Sequence, residues 1–559
     1  MDSAIQEIST PLAKPRSGHH SGWLLSALAV ALLVCLPIAS VFWIALFPNE
    51  NIWSHLAATV LPHYVATTLW LMAGVGALSV LLGVGSAWLV TMCQFPGRRL
   101  FEWALLLPFA VPAYVIAYVY TDLLEYSGPV QIMLRELFGW RSAHDYWFPD
   151  IRTLGGAILM LALVLYPYVY MLARAAFLEQ SANVQAASRT LGCTPWQSFY
   201  RVSLPMARPG IAVGLSLVLM ETINDFGTVD YFAVKSLSAA IYDTWLNMGN
   251  LGGAAQIASM LLIFVVILMS LERIGRAQQK NFSGADRYRA LDTYQLKGWR
   301  AAAAVLACGL PFVAGFVVPI LVLGNYALRH FESSWTAEFL TIAGNSFVLS
   351  AIAALLCCLI GLLLAYSKRL HSSKLLLTAV RASGLGYALP GAVLAIGVII
   401  PFAAFDNSLD AFMREQFGVS TGLLLSGSAF AIVFAYVVRF LTVATGSIES
   451  SLAKVTPTMD MASRSLGHNS FKTLRRVHLP LIRGGLLTGA LVVFVDCMKE
   501  LPATLILRPF NFDTLATQVY QYASDEMIEQ SALSALLIVL VGLIPVILLS
   551  RSITASRSR

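Results

Sequence analysis

The chain has 559 residues, of which 58% are hydrophobic and only 12% are charged, and its formal net charge is +7. Soluble globular domains usually carry about 25% charged residues. The composition therefore excludes an ordinary soluble enzyme and a disordered chain, and it predicts an all-α protein that crosses a membrane many times.

Long hydrophobic runs are the main signal along the chain, because a membrane-spanning helix needs about 20 mostly apolar residues. Twelve runs qualify, in chain order 22–47, 65–92, 103–121, 154–173, 210–232, 254–271, 302–327, 342–367, 383–405, 422–445, 485–507 and 532–550. The run at 422–445 contains Arg439, whose side chain we expect to extend to the membrane surface. A polar stretch at 272–300 separates a first half, 1–271, from a second half, 301–559.

Positive charge predicts how these helices are oriented. If the N-terminus is cytoplasmic and the spans alternate, 29 of the 37 Lys and Arg residues lie in or next to cytoplasmic segments. Such a bias is typical of multi-pass membrane proteins. We therefore expect both termini and the linker at 272–300 to be cytoplasmic. The basic residues are scattered over separate loops, so we expect the lipid bilayer and no nucleic acid as a partner.

A repeated segment divides the chain into two related parts. Residues 185–211 read QAASRTLGCTPWQSFYRVSLPMARPGI, and residues 460–486 read DMASRSLGHNSFKTLRRVHLPLIRGGL. Eleven of the 27 aligned positions are identical at a constant offset of 275 residues. Both copies lie between the fourth and fifth predicted spans of their half. This pattern predicts two parallel six-helix halves, related by an axis along the membrane normal.

Each repeated loop has the features of a short amphipathic helix followed by a turn. Gly192 and Gly467 are suited to end the helix, and Pro205 and Pro480 are suited to the first turn of the next one. A small-residue face of such a helix can dock in a groove of a soluble partner. The alternative is an interfacial helix that only lies on the lipid. Two copies in a pseudo-symmetric chain favour a two-fold partner.

The two loops resemble the EAA-x3-G-x9-I-x-LP coupling motif of permease subunits in ABC importers. Gln185 and Asp460 stand where the family has glutamate, and Met461 replaces its first alanine. The resemblance implies a type I ABC-importer permease fold whose two loops contact ATPase subunits. The residues it assigns to this contact are Gln185, Ala186, Ala187, Arg189, Leu191, Gly192, Leu204, Pro205, Asp460, Ala462, Arg464, Leu466, Gly467, Leu479 and Pro480.

The segments after the loops narrow the resemblance. Residues 221–232 (ETINDFGTVDYF) and 496–515 (DCMKELPATLILRPFNFDTL) are similar to the fused, two-half permeases for ferric iron. The resemblance implies a bacterial inner-membrane location, two ATPase subunits on the cytoplasmic side and an extracytoplasmic substrate-binding protein. Fused permeases for thiamine, phosphonate or polyamines share part of the pattern and stay as alternatives. A twelve-helix ion-coupled secondary transporter is the alternative from another class.

No catalytic motif accompanies these features. The segment Gly467–Thr473 contains a Lys-Thr pair but lacks the glycine that precedes the lysine in a phosphate-binding loop. We therefore expect a transport subunit that is not an enzyme, binds no cofactor and depends on ATP used by a partner subunit. The nine histidines are dispersed, and no metal ligands are assigned.

Ionisable residues inside apolar runs are the candidates for the translocation path or its gate, because they are costly in a membrane. Glu221 and Asp225 lie in the fifth predicted span of the first half, and Asp496 and Glu500 lie at the matching positions of the second. Carboxylate oxygens suit a hard trivalent cation. Alternatively, the acids form a structural or gating cluster that Lys499 partly neutralises.

Overall fold

Helices make up nearly all of the fold. The computed structural model describes residues 21–178, 180, 188, 190–279, 293–370 and 373–555. The main helices are α1 (Ser21–Leu46), α2 (Leu61–Met92), α3 (Ala113–Leu124), α4 (Leu154–Leu178), α5 (Pro195–Asn224), α6 (Leu251–Gln279), α7 (Trp299–Arg329), α8 (Ala337–Leu370), α9 (Gly391–Phe417), α10 (Ala429–Leu452), α11 (Ser470–Met498) and α12 (Ile528–Ala555). Within the described ranges, eleven helices can cross a membrane, or twelve if a bent pair around α3 is one span. The chain is therefore an all-α, multi-pass membrane protein.

Short elements connect the long helices. The short helices are Trp53–Thr59, Arg98–Ala104, Leu107–Ala110, Pro129–Phe138, Gly227–Tyr231, Leu237–Tyr242, Phe331–Ser334, Lys374–Ser383, Leu385–Ala388, Pro457–Ser465, Pro502–Leu507 and Leu515–Ser524. Two-residue strands at Cys93–Gln94 and Tyr294–Gln295 pair in parallel, which ties the segment before α7 to the end of α2. Residues 280–292 of the proposed linker lie outside the described residues, so the division into 1–271, 272–300 and 301–559 stays a prediction.

The sequence repeat is also a repeat in three dimensions. Gly210 of α5 packs against the carbonyl group of Leu172 in α4, and Gly485 of α11 packs against the carbonyl group of Ser447 in α10. A side chain at either glycine would meet its neighbour's oxygen at 3.0–3.2 Å, which is why the two helices can approach only at glycine. Both contacts keep the 275-residue offset. Positions in α4 and α5 can therefore be matched to positions in α10 and α11.

The two halves interlock through their first helices. Helix α1 packs against α9 of the second half as well as against α6. Helix α7 packs against α12, and it also reaches α3 of the first half. There Tyr120 donates a hydrogen bond to the carbonyl oxygen of Ala314 (2.8 Å), and Tyr326 donates one to Asp122 (2.5 Å). Both large hydrophobic clusters contain residues of the two halves, so the main core is shared between them.

The third predicted span, 103–121, is wrong as a single straight helix. The chain bends by 92° between the helical segment Arg98–Ala110 and the segment that begins at Ala113. Pro112 causes the break, because it has no N–H group to donate and it forces the preceding residue towards extended geometry. Val111 accordingly has φ −88° and ψ 122°.

The fifth spans also differ from the predicted runs, 210–232 and 485–507. Helices α5 and α11 begin and end earlier, and each contains a π-helical turn in its first third. Pro205 and Pro480 lie in the first turn of the α-helical segments that follow these turns, Leu204–Asn224 and Leu479–Met498, as the sequence predicted, and each segment continues the helix before it. A π-helical turn shifts the hydrogen-bonding register, and this accommodates a residue without an N–H group.

Candidate functional site

A cavity of about 140 Å³, with several charged side chains in its lining, lies between the two halves. Its lining includes positions that are matched across the repeat, namely Val164/Arg439, Leu165/Phe440, Glu221/Asp496, Asn224/Lys499, Asp225/Glu500, Phe226/Leu501 and Gly227/Pro502. Because both members of each pair face the same space, the cavity lies on the pseudo-two-fold axis of the chain. It brings together the four acids and the lysine that the sequence indicated.

Asp225 and Glu500 stabilise equivalent short helices. Asp225 follows the last residue of α5, and its carboxylate accepts hydrogen bonds from the backbone N–H groups of Thr228 and Val229, both at 3.1 Å. Glu500 accepts the corresponding bonds from the N–H groups of Ala503 (3.0 Å) and Thr504 (3.1 Å). These N–H groups belong to the first turns of Gly227–Tyr231 and Pro502–Leu507, where helices lack internal acceptors. Both carboxylates therefore have a structural task.

Glu221 and Asp496 lie one turn earlier and have different surroundings. Asp496 forms an ion pair with Lys499 at 3.0 Å. The ammonium group of Lys499 also lies 4.6 Å from the centre of the Phe109 ring, a favourable arrangement for a cation. Glu221 forms no ion pair or hydrogen bond with any residue in the described ranges. The two acids are equivalent in sequence, but only Asp496 has a cationic partner at ion-pair distance.

Arg439 is a cavity residue, which corrects the expectation that it extends to the membrane surface. It lies near the middle of α10 and donates to Glu500 at 3.0 Å. The two side chains are only 12% and 1% exposed. Desolvating this guanidinium is offset by the carboxylate, whereas the matching position in α4 carries the apolar Val164. The charge inside an apolar run was the available signal, but its partner lies 61 residues away.

Two further polar residues of the cavity were not indicated by the sequence. Asn224, at the end of α5, is 7% exposed, and Tyr114, in the first turn of α3, is 5% exposed. The side-chain oxygen atoms of both residues lack a hydrogen-bond partner among the described residues. An unpaired buried polar group costs about 1–3 kcal/mol. These oxygens are therefore available to a molecule or ion that enters the cavity.

The cavity is not a preformed metal cage. No group of three or more His, Cys, Asp or Glu side chains arranged to hold a metal ion occurs in the described part of the chain. The four acids are instead distributed around the space, and two of them are paired with cations. Such an arrangement suits a species that passes through, because conduction needs release as well as binding.

The second repeated loop is a helix, a glycine turn and a second helix. The helix Pro457–Ser465 ends before Gly467, which has φ +78°. The side chain of Asn469 then accepts from the backbone N–H of Lys472 at 2.8 Å and opens α11. The hydroxyl groups of Ser463 and Thr473 lie 2.9 Å apart and join the two helices. This geometry agrees with the glycine turn that the sequence predicted.

The first loop repeats this geometry where it is described. Gly192 has φ +79°, and the side chain of Thr194 accepts from the backbone N–H of Gln197. The hydroxyl groups of Ser188 and Ser198 lie 3.0 Å apart, at the positions that match Ser463 and Thr473. The remaining candidates of this loop, Gln185, Ala186, Ala187 and Arg189, lie outside the described residues.

Asp460, which stands at the family's glutamate position, is hydrogen-bonded to other residues of this chain. Its carboxylate accepts hydrogen bonds from Arg369 at 2.9 Å and from His478 at 2.5 Å. Arg369 also donates to the carbonyl oxygens of Leu452 and Val455. The network therefore joins the loop helix to the ends of α8 and α10 and to the π-helical turn of α11.

The remaining candidates divide into exposed and packed positions. Leu191 and Leu466 are matched and strongly exposed, and so are the neighbouring aromatic residues Trp196 and Phe471. Ala462 and Arg464 are also exposed on the loop helix. Leu204, Pro205, Leu479 and Pro480 lie in α5 and α11; the first three are partly buried, and Pro480 is exposed. Each loop thus presents one apolar pair to solvent.

Comparisons with known proteins agree with this two-fold architecture. The family model for the binding-protein-dependent transport system inner membrane component matches residues 79–280 and again residues 358–557. An Fe(3+)-transport system permease protein of Haemophilus influenzae is 25% identical over 87% of this chain and 89% of its own length. A ferric transport system permease protein of Actinobacillus pleuropneumoniae is 24% identical over 82% and 67%. A molybdenum transport system permease protein of Escherichia coli is 30% identical over 35% of this chain and 87% of its own length.

The fold, the axial cavity and the two matched loops define a membrane-embedded permease built from two homologous halves. The chain belongs to the family of binding-protein-dependent transport system inner membrane components. This membership does not support the alternative of an ion-coupled secondary transporter.

Proposed function

We propose that the chain forms the translocation path of an ATP-driven importer for ferric iron, which an extracytoplasmic binding protein delivers. The assignment of ferric iron as the substrate rests on the match to ferric permeases along most of the chain. The axial cavity supports it, because it contains four carboxylates and only two cationic side chains. Carboxylate oxygens are the ligands that a hard trivalent cation prefers.

The acidic cavity distinguishes this proposal from the transport of an oxyanion. Permeases named for molybdenum and for sulfate are also similar, but each match covers less than half of this chain. An anion such as sulfate would be repelled by a cavity whose acids outnumber its bases. Thiamine, phosphonate and polyamine remain alternative substrates for the uptake experiment.

The two repeated loops are the proposed contacts for two ATPase subunits. The matched apolar pairs Leu191/Leu466 and Trp196/Phe471 support this assignment, because exposed apolar groups in matched places suit a two-fold partner. ATP would be bound and hydrolysed by those subunits. The surplus of Lys and Arg on one side supports cytoplasmic termini and loops in a bacterial inner membrane.

Uptake by the reconstituted complex tests the substrate. The full chain, its ATPase and its binding protein are placed in proteoliposomes, and radioactive Fe(III) is supplied as citrate. We expect uptake that needs both ATP and the binding protein. Thiamine, phosphonate, polyamine, sulfate and molybdate serve as competing substrates. ATP-dependent uptake of one of these compounds without uptake of iron would overturn the ferric proposal.

A reporter fusion tests the orientation. An enzyme that is active only outside the cytoplasmic membrane is fused after Arg559, and the same enzyme is inserted at Gly249, in the loop between α5 and α6. We expect no activity from the first fusion and full activity from the second. The reverse pattern would contradict the proposed topology.

A further inference from the structure

We infer that the first half supplies the cation contacts of the cavity, through the carboxylate of Glu221 and the amide oxygen of Asn224. The matching residues of the second half, Asp496 and Lys499, do not bind the passing ion. This inference rests on the proposed import of ferric iron and adds which side of the pseudo-symmetric cavity receives the ion.

Among the four acids, only Glu221 has neither an ion pair nor a hydrogen bond within the described ranges. Glu500 is bound by Arg439 and by the N–H groups of the helix that it caps. Asp496 is bound by Lys499. Asp225 accepts two backbone N–H groups and the hydroxyl group of Thr228. Glu221 accepts no hydrogen bond from the described residues, so its lone pairs are free to contact a cation.

Asn224 provides an independent indication of a ligand. Its side chain is more than nine-tenths buried, lines the cavity, and leaves its oxygen without a partner in the described ranges. It lies three residues after Glu221 in α5, which places the two side chains on the same face of the helix. The hydroxyl group of Tyr114, also buried and unpartnered, lines the same space. A carboxylate, an amide and a phenol together offer oxygen ligands for a hard cation.

Lys499 makes the opposite side of the cavity unfavourable to a cation. It occupies the position of Asn224 in the second half, and its ammonium group stays between Asp496 and the Phe109 ring. The lysine therefore neutralises the acid that matches Glu221. Arg439 and Lys499 also act on Glu221 electrostatically, but neither lies at ion-pair distance from it. Since opposite charges attract more strongly in a desolvated site than in water, the less neutralised acid of the first half is the stronger contact for an entering cation.

Binding of terbium(III) tests the inference directly. Terbium(III) is a hard trivalent cation, and its luminescence is sensitised by nearby tyrosines such as Tyr114 and Tyr168 of the cavity. The full chain in lipid nanodiscs is titrated with terbium, and Glu221→Gln is compared with the double variant Asp496→Asn, Lys499→Asn, which removes both members of an ion pair and so keeps the net charge of the second half. We expect the first substitution to weaken binding by about tenfold, the effect of losing about 1.4 kcal/mol. The second should change it by less than about threefold.

A second variant and a stability measurement distinguish loss of a ligand from misfolding. Asn224→Leu keeps the side-chain volume, removes the oxygen, and should also weaken terbium binding, while thermal unfolding reports whether each variant is intact. Equal losses in Glu221→Gln and in the double variant Asp496→Asn, Lys499→Asn would overturn the inference, and so would wild-type protein without sensitised emission.

Iron uptake separates the two proposals. Wild-type protein that binds terbium as expected but imports no iron would refute the ferric substrate and leave the cation site standing. Wild-type protein that imports iron, with equal effects of Glu221→Gln and of the double variant Asp496→Asn, Lys499→Asn on both terbium binding and uptake, would refute the site and leave the transport function standing.

Discussion

The two halves of the chain share the same structural features in their loops and fifth helices but differ in the charges of their side chains. Both loops turn at a glycine with φ near +78°, both are joined by a pair of hydroxyl groups, and both fifth helices contain a π-helical turn. Asp225 and Glu500 cap equivalent short helices. At the cavity, however, the second half has Arg439 and Lys499 where the first has Val164 and Asn224.

A second difference lies beside the loops. In the second half, Asp460 is paired with Arg369 and His478. Gln185 and Ser203 stand at the positions that match Asp460 and His478, so this part of the first half is neutral. Fusion of the halves in one chain allows such differences, because each position can change without changing its counterpart. The two halves share the geometry of the repeated loops and of the helix ends, whereas they differ in the charged side chains at the cavity and beside the loops.

The largest expected effect follows from removing the cationic side chain of Arg439 from the cavity. Arg439→Val gives the second half the residue of the first, but it leaves the carboxylate of Glu500 buried and without its charged partner. Breaking a buried pair in this way costs about 3–5 kcal/mol. We expect a clear drop in the midpoint of thermal unfolding in nanodiscs. The double variant Arg439→Val, Glu500→Gln should recover much of the loss, and an unchanged midpoint in the single variant would show that the pair is dispensable.

The equivalence of the two loops is tested by their glycines. A side chain at Gly192 or Gly467 must adopt a left-handed conformation, which costs about 1–2 kcal/mol, and it would project where the ATPase is proposed to bind. Gly192→Asp and Gly467→Asp should each reduce ATPase co-purification and ATP-dependent uptake by about tenfold, the effect of losing about 1.4 kcal/mol of contact. Unequal effects would show that the loops are not functionally equivalent.

Gly249→Asp is the matched control for the loop variants. Gly249 also has positive φ (+66°), and an added side chain would meet no atom within 4 Å at any of the three glycines. It lies between α5 and α6, on the side opposite the loops in the proposed topology. We expect its backbone strain to leave ATPase co-purification unchanged. A loss as large as that of Gly467→Asp would attribute the effect to strain alone.

The charged network of the second loop should matter less. Asp460→Gln copies the residue of the first half and removes the bonds to Arg369 and His478, with an expected local cost of about 1–3 kcal/mol. We expect faster amide hydrogen exchange in Pro457–Ser465 and weaker stimulation of ATP hydrolysis by the binding protein. Lys368→Gln, which breaks a more exposed ion pair to a different residue, is the control. Unchanged exchange after Asp460→Gln would exclude a positioning role for the network.

The smallest effect on stability is expected for Lys499→Asn, which makes the second half resemble the first. The pair with Asp496 is more exposed than the pair between Arg439 and Glu500, so its loss should cost less than that of the deeper pair. The substitution frees Asp496 to contact a cation. We therefore expect terbium binding to become less sensitive to Glu221→Gln in the Lys499→Asn background. Full sensitivity in that background would show that Lys499 does not control which half binds the ion.

The amino-acid sequence alone determined the features that depend on neighbouring residues. Apolar runs of sufficient length specify helices in a membrane, because every backbone polar group there must be bonded within its own segment. The constant offset between 185–211 and 460–486 identified the two halves and both glycine turns. The spacing of Glu221 and Asp225, repeated in Asp496 and Glu500, indicated acids that belong together.

Only the tertiary structure decided which of these acids are paired with other residues of the chain. Arg439 and Glu500 meet because α10 packs beside the end of α11, and Asn224 faces the cavity because α5 ends there. Likewise, a proline such as Pro112 marks a place where a helix can kink or break, and only the structure shows the 92° bend. Local pattern fixes where a helix forms, but charge pairing depends on distances between segments far apart in the chain, and those distances exist only after the helices have packed.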